Sequence, residues 1–489
     1  MIVLYNPFST TSKKHPLPMS LLAVASTLEG EHEWTLVDGN LEADPVGRIV
    51  ELGRRRRLTA VAVTVMPGPQ LDRAVPDGRR LKAALPEVPI VWGGYFPSQH
   101  WETALADGSV DFCVRSQGER TFPELLRVLE RGGDLGAVAG LAYRDGGEVK
   151  RNPDRPLAPL DELPDWPYEK VPMDRYFHRH YLGRRVATHQ SSYGCPFACN
   201  FCAIVDIVQR RWVAQSPARV EGVLRLQKER YGADAVQFHD MDFFIHEGRT
   251  AEISERIGRL GLAWWALGRV DELMRYRDAT WRKMQASGLR MVFCGAEAGS
   301  QEVLERMNKG GKVTPALTLE LVKRMREYGV VPELSFVLGN PPDPRADVET
   351  TLAFIRRLKE VNPATEVILY LYTPVPHEGT LYDEARQLGF RFPETLDGWV
   401  SGDWRAFSLR RDPPNPWLDR GLKRRVRDFE RVLNAYYPTS TDTRLRGLKR
   451  GVLRALGGWR YATRVYGWPL ELRAFHRLFR YQRPETSGF

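Results

Sequence analysis

The chain has 489 residues, more than one hydrophobic core usually serves, so two or three domains are expected. Its 5 cysteines, three of them within eight positions, do not suit a disulfide scaffold, and no apolar run approaches the length of a membrane span. The formal net charge of +10 is local: residues 420–489 hold 17 Lys/Arg against 5 Asp/Glu, whereas the rest of the chain holds 54 against 56.

The N-terminus opens as a strand, Ile2-Val3-Leu4-Tyr5, rather than a basic segment followed by a cleavable apolar one. No signal peptide is expected, and free thiols fit a reducing cytoplasm. Over the first 150 residues, strand signals at 2–5, 34–37, 60–65, 89–92, 111–114 and 140–144 alternate with helix signals near 17–28, 45–56, 71–85, 98–106 and 120–130. That alternation predicts an open parallel sheet with its ligand edge at the strand C-termini. Gly93-Gly94 follows a strand directly, where backbone can approach a ligand, and loops 9–18 and 66–69 lie on the same edge. No G-x-G-x-x-G follows the first strand, which disfavours a nicotinamide cofactor. Residues 151–185 carry Pro153, Pro156, Pro159, Pro164, Pro167 and Pro172 with little regular pattern, and read as a linker over the surface.

A second series follows, with strands at 186–190, 235–238, 263–267, 291–294, 331–336 and 366–372 and helices at 219–229, 249–260, 280–286, 301–307, 314–328 and 346–358. Six β/α units are too few for a closed eight-fold barrel and suit a partial one, with its chemistry at the strand C-termini. From Trp399 onward the pattern is mostly helical and aromatic, through Trp404, Phe407, Trp417, Phe429, Tyr436, Tyr437, Trp459, Tyr461, Tyr466, Trp468, Phe475, Phe479 and Tyr481. Packing against the barrel mouth is the ordinary use of these rings, and a wall for a large apolar substrate the sharper one. The basic excess suits nucleic acid, anionic lipid or an acidic partner; a plain solvated face is the alternative. Basic and apolar residues interleave over 444–454 and 460–483, as suits the plane of an anionic bilayer.

The first barrel strand runs into Ser191-Ser192-Tyr193-Gly194-Cys195-Pro196-Phe197-Ala198-Cys199-Asn200-Phe201-Cys202. A C-x3-C-x2-C triplet offers three thiolates to a [4Fe–4S] cluster, which ordinarily takes four, so one iron stays open to a further ligand. Zinc would want a fourth soft ligand, and only His189 is near. Cys113 and Cys294 sit in apolar runs and read as buried structural thiols.

The triplet, with Phe201 one place before its last Cys and six β/α units around it, resembles the radical S-adenosylmethionine (SAM) superfamily. The resemblance implies that Cys195, Cys199 and Cys202 are the metal ligands and catalytic residues, that the open iron chelates SAM, and that reductive cleavage gives a 5′-deoxyadenosyl radical. It places backbone around Phe201 against adenine and residues 371–376 near it. It further nominates as cofactor-binding Asp242 in Phe238-His239-Asp240-Met241-Asp242-Phe243-Phe244, Arg269 in Leu267-Gly268-Arg269-Val270-Asp271, Glu297 in Gly295-Ala296-Glu297-Ala298-Gly299-Ser300, and Gly339 in the turn after the fifth strand. Ala298 stands where many relatives have Ser. Structural readings remain open beside these: a helix cap for Asp240 and Asp242, a salt bridge with Asp271 for Arg269, an ion pair for Glu297.

The N-terminal half resembles the cobalamin-binding domain attached to one branch of that superfamily, most clearly through Gly93 and Gly94 in residues 91–97 and through residues 110–121. The D-x-H-x-x-G motif of many such domains is absent, and His15 and His32 lack its context, so cobalamin bound without a lower His, and a relic domain, both remain open. The two resemblances cover roughly residues 1–400. The fold class they imply is α/β: a Rossmann-like cobalamin-binding domain at 1–150, a linker at 151–185, a partial (β/α)6 barrel of the radical SAM type at 186–400, and a helical basic region at 401–489.

The implied activity is cobalamin-dependent methylation of an unactivated carbon in a small metabolite, lipid or cofactor precursor, with cobalamin between the two domains and a flavodoxin or ferredoxin-type reductant. The alternative is a cyclase or rearrangement enzyme without net methyl transfer, since the same branch resembles anaerobic porphyrin ring-forming enzymes; a tetrapyrrole-like substrate belongs to that reading. Nucleic acid is disfavoured, because tRNA methylthiolation normally brings a further cluster domain and a small RNA-binding barrel. An electron carrier is disfavoured by the three-Cys count. Cytoplasmic location is expected, with peripheral contact to the inner membrane face through the basic C-terminal region held open.

Overall fold

In the computed structural model, residues 1–10, 14–309, 312–377, 379–408, 412–439, 445 and 447–479 are described. Strands β1 (Ile2–Asn6), β2 (Trp34–Asp38), β3 (Ala60–Thr64), β4 (Ile90–Gly93), β5 (Phe112–Val114), β6 (Leu141–Asp145) and β7 (Glu148–Arg151) form one sheet in the order β2-β1-β3-β4-β5-β6-β7. β1 to β5 pair in parallel, and helices cover both faces of β1, whose residues are all buried. Burial on both faces is why these strands read as apolar runs without alternation. The sheet is mixed rather than wholly parallel: β6 returns antiparallel on β5, and β7 closes a hairpin with it. β7 was not expected, because Glu148-Val149-Lys150-Arg151 is exposed throughout and carries no apolar signal. The helix expected over 98–106 is two short helices, Tyr95–Gln99 and Trp101–Ala106, meeting at His100.

The second sheet contains β8 (Val186–His189), followed by a short antiparallel ribbon of β9 (Ser192–Gly194) and β10 (Trp212–Ala214), then β11 (Ala235–Phe238), β12 (Ala263–Arg269), β13 (Leu289–Glu297), β14 (Val331–Leu338) and β15 (Glu366–Leu371). Its order is β15-β14-β13-β12-β11-β8, all parallel, an open six-stranded partial barrel. Leu182, Val186, Ala235, Trp265, Met291 and Val331 fill its lumen near the strand starts. Four helix starts share one local rule. Asp44, Ser216, Thr314 and Asp343 each accept from the backbone N–H three residues on, and each precedes a proline whose missing N–H is not needed there.

The segment expected to run over the surface is tied down: Tyr168, Val171, Met173 and Tyr176 are buried with Leu17 and Leu22 of the first unit. The C-terminal region is helical, in Leu396–Trp399, Gly402–Ser408, Arg420–Tyr436, Gly447–Thr463 and Leu470–Leu478. Its aromatics do not all pack at the barrel mouth. Trp399, Trp404 and Phe407, with Phe390, join the core of the first sheet beside Trp92 and Phe96. Phe429, Tyr461, Tyr466 and Phe475 join the outer core of the barrel, and Trp459 and Trp468 are exposed. Tyr481, Arg444 and the stretch 480–483 lie outside the described residues. Among the described residues no helix is long and apolar enough to cross a membrane.

Candidate active site

The cysteine loop is fastened at both ends. At its start Asp240, at the end of β11, accepts from the Ser191 N–H at 3.0 Å, the Ser191 hydroxyl at 2.8 Å and the Ser192 hydroxyl. Asp240 therefore positions the loop and has no oxygen turned to a ligand. Gly194, with φ 91°, crosses the ribbon so closely that a Cβ would stand 2.1 Å from the Arg211 carbonyl oxygen, so only glycine fits before Cys195. At the far end the Asn200 N–H donates to the Met307 carbonyl at 2.9 Å and its amide to the Arg306 carbonyl at 2.8 Å, while the Asn308 amide donates to the Ala198 carbonyl at 2.8 Å. The triplet is thus clamped between β11 and the segment after β13.

Cys199 is buried and Cys195 and Cys202 are half-buried. Burial pushes the Cys195 thiol up to about 12; Asp242, Cys202 and Cys199 push the same way, against a hydrogen bond from the Phe197 N–H. Such a thiol ionises with a cation beside it, which is how iron or zinc is held. Among the described residues no three His, Cys, Asp or Glu side chains are gathered closely enough for a single metal ion. Three cysteines without a fourth form the donor set of a cluster with one open iron. Cys113 and Cys294 are fully buried, far from ionising, in the cores of the two sheets.

Basic groups surround the loop. Arg269 is buried, donates to Cys199 Sγ at 3.3 Å and to the Lys309 carbonyl at 2.6 Å, pairs with Asp271 at 3.0 Å, and stacks over Phe197 with its guanidinium carbon 3.6 Å from the ring centroid. Burial works against its charge, yet Cys199 and Asp271 hold the guanidinium above its ordinary value. The Asp271 salt bridge and contact with the cysteine loop coexist. Lys309, which sequence reasoning missed, is also buried, ion-paired to Glu297, and 5.6 Å from the Phe201 ring centroid. Burial lowers the Lys309 ammonium, but Glu297 and Cys199 outweigh it and raise it. Phe201 packs with Met307, Val337, Tyr372 and Leu381.

Glu297 sits at a β-bulge with φ 64°, and a Cβ at Gly295 would meet its Oε1 at 1.9 Å and Lys309 Nζ at 2.6 Å. Asp242 accepts from the Phe244 N–H at 3.2 Å, so a cap-like contact exists, yet its Oδ2 is buried without a partner. Burial lifts Asp242 to about 7; Arg269 opposes and Glu272 and Asp271 assist the shift. Gly339 is engaged within the chain. Its N–H donates to Asp347 at 2.8 Å, its carbonyl accepts from Trp417 at 3.0 Å, and its φ of 80° is one glycine adopts freely.

The ligand edge of the first sheet is a polar network at the ends of β1 to β4. Asn6 donates to Asp38 at 2.9 Å, Gln70 to Asn6 at 2.8 Å, Tyr176 from the linker to Asp38 at 2.9 Å, and the Ser20 and Thr64 hydroxyls are 3.0 Å apart. Gly94, with φ 95°, needs to be glycine, since a Cβ would crowd Thr64 and Val65 at 3.2–3.3 Å; at Gly93 a Cβ would make only an ordinary contact. His15 lies in the loop after β1 with Nδ1 buried and without a hydrogen-bond partner, an orphan that a ligand at this edge can answer. His32 has its Nδ1 3.5 Å from Glu130, and its Nε2 is likewise buried without a hydrogen-bond partner. The Gly94 helix packs on Ile204–Val208, the helix leaving the triplet, and Gln99 donates to the Ala203 carbonyl at 3.3 Å. The two ligand edges therefore meet around the cysteine loop.

Residues 190–355 match the radical SAM superfamily and residues 8–126 the B12 binding domain. The chain is 30% identical over 345 residues to an uncharacterized methyltransferase of Pyrococcus horikoshii, covering 70% of this chain and 73% of the relative. It is 24% identical to an anaerobic magnesium-protoporphyrin IX monomethyl ester cyclase of Synechocystis sp., covering 66% of this chain and 64% of the relative. In fold it is similar to the radical SAM methyltransferase TsrM of Kitasatospora setae, solved with cobalamin and a [4Fe–4S] cluster, at TM-score 0.67, 17% identity and 98% coverage of both chains.

Proposed function

The chain belongs to the radical SAM superfamily, in the branch with an N-terminal B12-binding domain, and from that premise we propose that it is a cobalamin-dependent methyltransferase acting on an unactivated carbon. The observation that carries this reading is the docking of the Gly94 helix on the helix that leaves the cysteine triplet. A cluster on Cys195, Cys199 and Cys202 supplies the one-electron chemistry on SAM, and cobalamin at the Gly94 edge supplies the methyl group. The protein's own part is orientation and exclusion of water. Arg269 holds a positive charge against Cys199, and Lys309 with Glu297 sets a buried ion pair beside Phe201, where the ends of SAM are to be recognised. Asp242 offers an unengaged oxygen whose charge is felt at Cys195. Gly339 supports the turn over which Trp417 packs. We assign residues 1–150 to cobalamin, 186–400 to the barrel, 151–185 to their linker and 401–489 to the helical region.

The electron donor is of flavodoxin or ferredoxin type, and the substrate a small, lipid or tetrapyrrole-like molecule. The reaction is placed in the cytoplasm, with the basic C-terminal region in peripheral contact with the inner membrane face. Anaerobic reconstitution with iron, sulfide and cobalamin tests the core of this proposal. About four iron and near-stoichiometric cobalt per chain are expected, with iron lost in a Cys199→Ala variant. Iron without cobalt would overturn the two-cofactor reading. Transfer of label from methyl-deuterated SAM separates methylation from a ring-forming reaction.

A further inference from the structure

The helix Gly447–Thr463 turns its apolar side toward solvent. Its inner side is fixed by Gly457, where a Cβ would stand 2.8 Å from both Ala435 Cβ and the Tyr436 nitrogen, so it crosses helix Arg420–Tyr436 nearly backbone to backbone. Leu453, Gly457 and Tyr461, spaced four apart, are buried in that crossing. The opposite face must then point away from the protein. It is made of Leu448, Val452, Ala455 and Trp459, at i, i+4, i+7 and i+11, with Gly451 and Ala462 beside them. All are exposed, Leu448 by 84%, Trp459 by 49% and Val452 by 42%. None is charged, although a solvent face of a 17-residue helix ordinarily is. Past the helix end Trp468 and Leu470 extend the apolar surface, exposed by 57% and 62%.

The surroundings are strongly basic. Residues 447–479 hold seven Lys/Arg and a single Glu. Arg460 takes that Glu471, and Arg473 pairs with Asp428 at 3.0 Å. Lys449, Arg454, Arg464 and Arg477 are exposed and have no ion-pair partner among the described residues. An uncharged stripe with tryptophans, flanked along the helix by a rim of Lys449, which also lies 4.8 Å from the Phe479 ring centroid, and Arg454, neither with a carboxylate partner among the described residues, is the pattern of a helix lying in a membrane interface. A second copy would bring two such rims together and meet like-charge repulsion. We propose that this face docks the protein on an anionic lipid bilayer, with Leu448, Val452 and Trp459 among the acyl chains and the rim on lipid phosphates. The proposal rests on the peripheral-contact reading above and assigns it to one face of one helix.

Vesicle co-sedimentation of the cluster-loaded full chain tests it, with phosphatidylcholine alone and with phosphatidylglycerol added. Binding to the anionic vesicles, weakened by salt, is expected. A Leu448→Glu/Trp459→Glu variant should bind at least about tenfold more weakly while keeping its iron content and circular dichroism. Undiminished binding by a folded variant overturns the assignment to this face and leaves peripheral contact standing. If the double variant misfolds, Val452→Ser with Lys449→Gln replaces it under the same criteria. Absence of wild-type binding to either vesicle overturns both readings. A wild-type dimer in light scattering that the variant dissolves, without vesicle binding, overturns the proposal in favour of a second copy.

Discussion

Glu297 carries the largest local costs of the site. A non-glycine residue at φ 64° costs on the order of 1 kcal/mol, and its carboxylate is buried beside a buried ammonium. Such a pair holds only as a pair. Lys309→Met should therefore destabilise the apo protein by about 3–5 kcal/mol in urea unfolding, and adding Glu297→Gln should recover most of that loss. Equal midpoints for the single and double variants would show that Glu297 finds another partner. Gly295→Ala should act like Lys309→Met, because its methyl would occupy the space of Glu297 Oε1. Glu297 was legible in the sequence because it stands in a recognisable Gly295-to-Ser300 segment. Lys309 was not: it lies twelve residues on, in a short polar stretch whose spacing points nowhere, and only folding of the loop brings its Nζ over Phe201. Gly93 and Gly94 looked equivalent as letters, yet only Gly94 takes a backbone conformation that glycine alone adopts freely.

Among elements, the ribbon of β9 and β10 decides where the thiols sit. Each strand has three residues, too few to show alternation, and neither was anticipated. The six barrel strands were legible because each is an apolar run set between helical patterns, and the helices after β11, β13 and β14 start on capping residues, His246, Ser300 and Asp343. Their ends were not, and β12, β13 and β14 each run two or more residues further toward the site than the apolar pattern indicates. Those extra residues include Arg269 and Glu297, polar groups that a hydrophobic pattern reads as loop. Asp240 is the joint between barrel and ribbon, taking three hydrogen bonds while fully buried. Asp240→Ala leaves the Ser191 N–H and two hydroxyls without their acceptor, at a cost of about 2–4 kcal/mol. Reconstituted iron should fall below that of wild type in parallel with a lowered melting temperature. Wild-type iron in a destabilised Asp240→Ala protein would mean that the clamp from Asn200 and Asn308 is sufficient alone.

At the scale of the whole molecule, alternation of strands and helices told of two sheets but not of how they meet. Phe390, Phe392, Trp399, Trp404 and Phe407 signal burial equally well against either sheet, and they close on the first, nearly three hundred residues earlier in the chain. His100 lies at that junction, with Phe96 and Phe392 both at 5.1 Å and Trp399 at 4.6 Å between ring centroids. Its neighbour Gln99 makes the bond to Ala203 beside the cysteine loop. Burial lowers the His100 imidazole from 6.5 to about 3. The unfolded chain therefore binds the proton more readily than the folded one, and stability is complete above about pH 6.5 and lost as pH falls toward 3. Between pH 7.5 and 5.0 this one ring should remove roughly 2 kcal/mol. His180 and His239, both lowered to about 4 by burial, act in the same direction, so acid sensitivity is shared. His100→Phe keeps the aromatic contacts and removes the proton site. Its loss of stability over that interval, from urea midpoints at the two pH values, should be smaller than wild type by about that amount. An identical loss would mean that the ring takes up its proton without the junction opening, and the junction would then be looser than its packing against Trp399 implies.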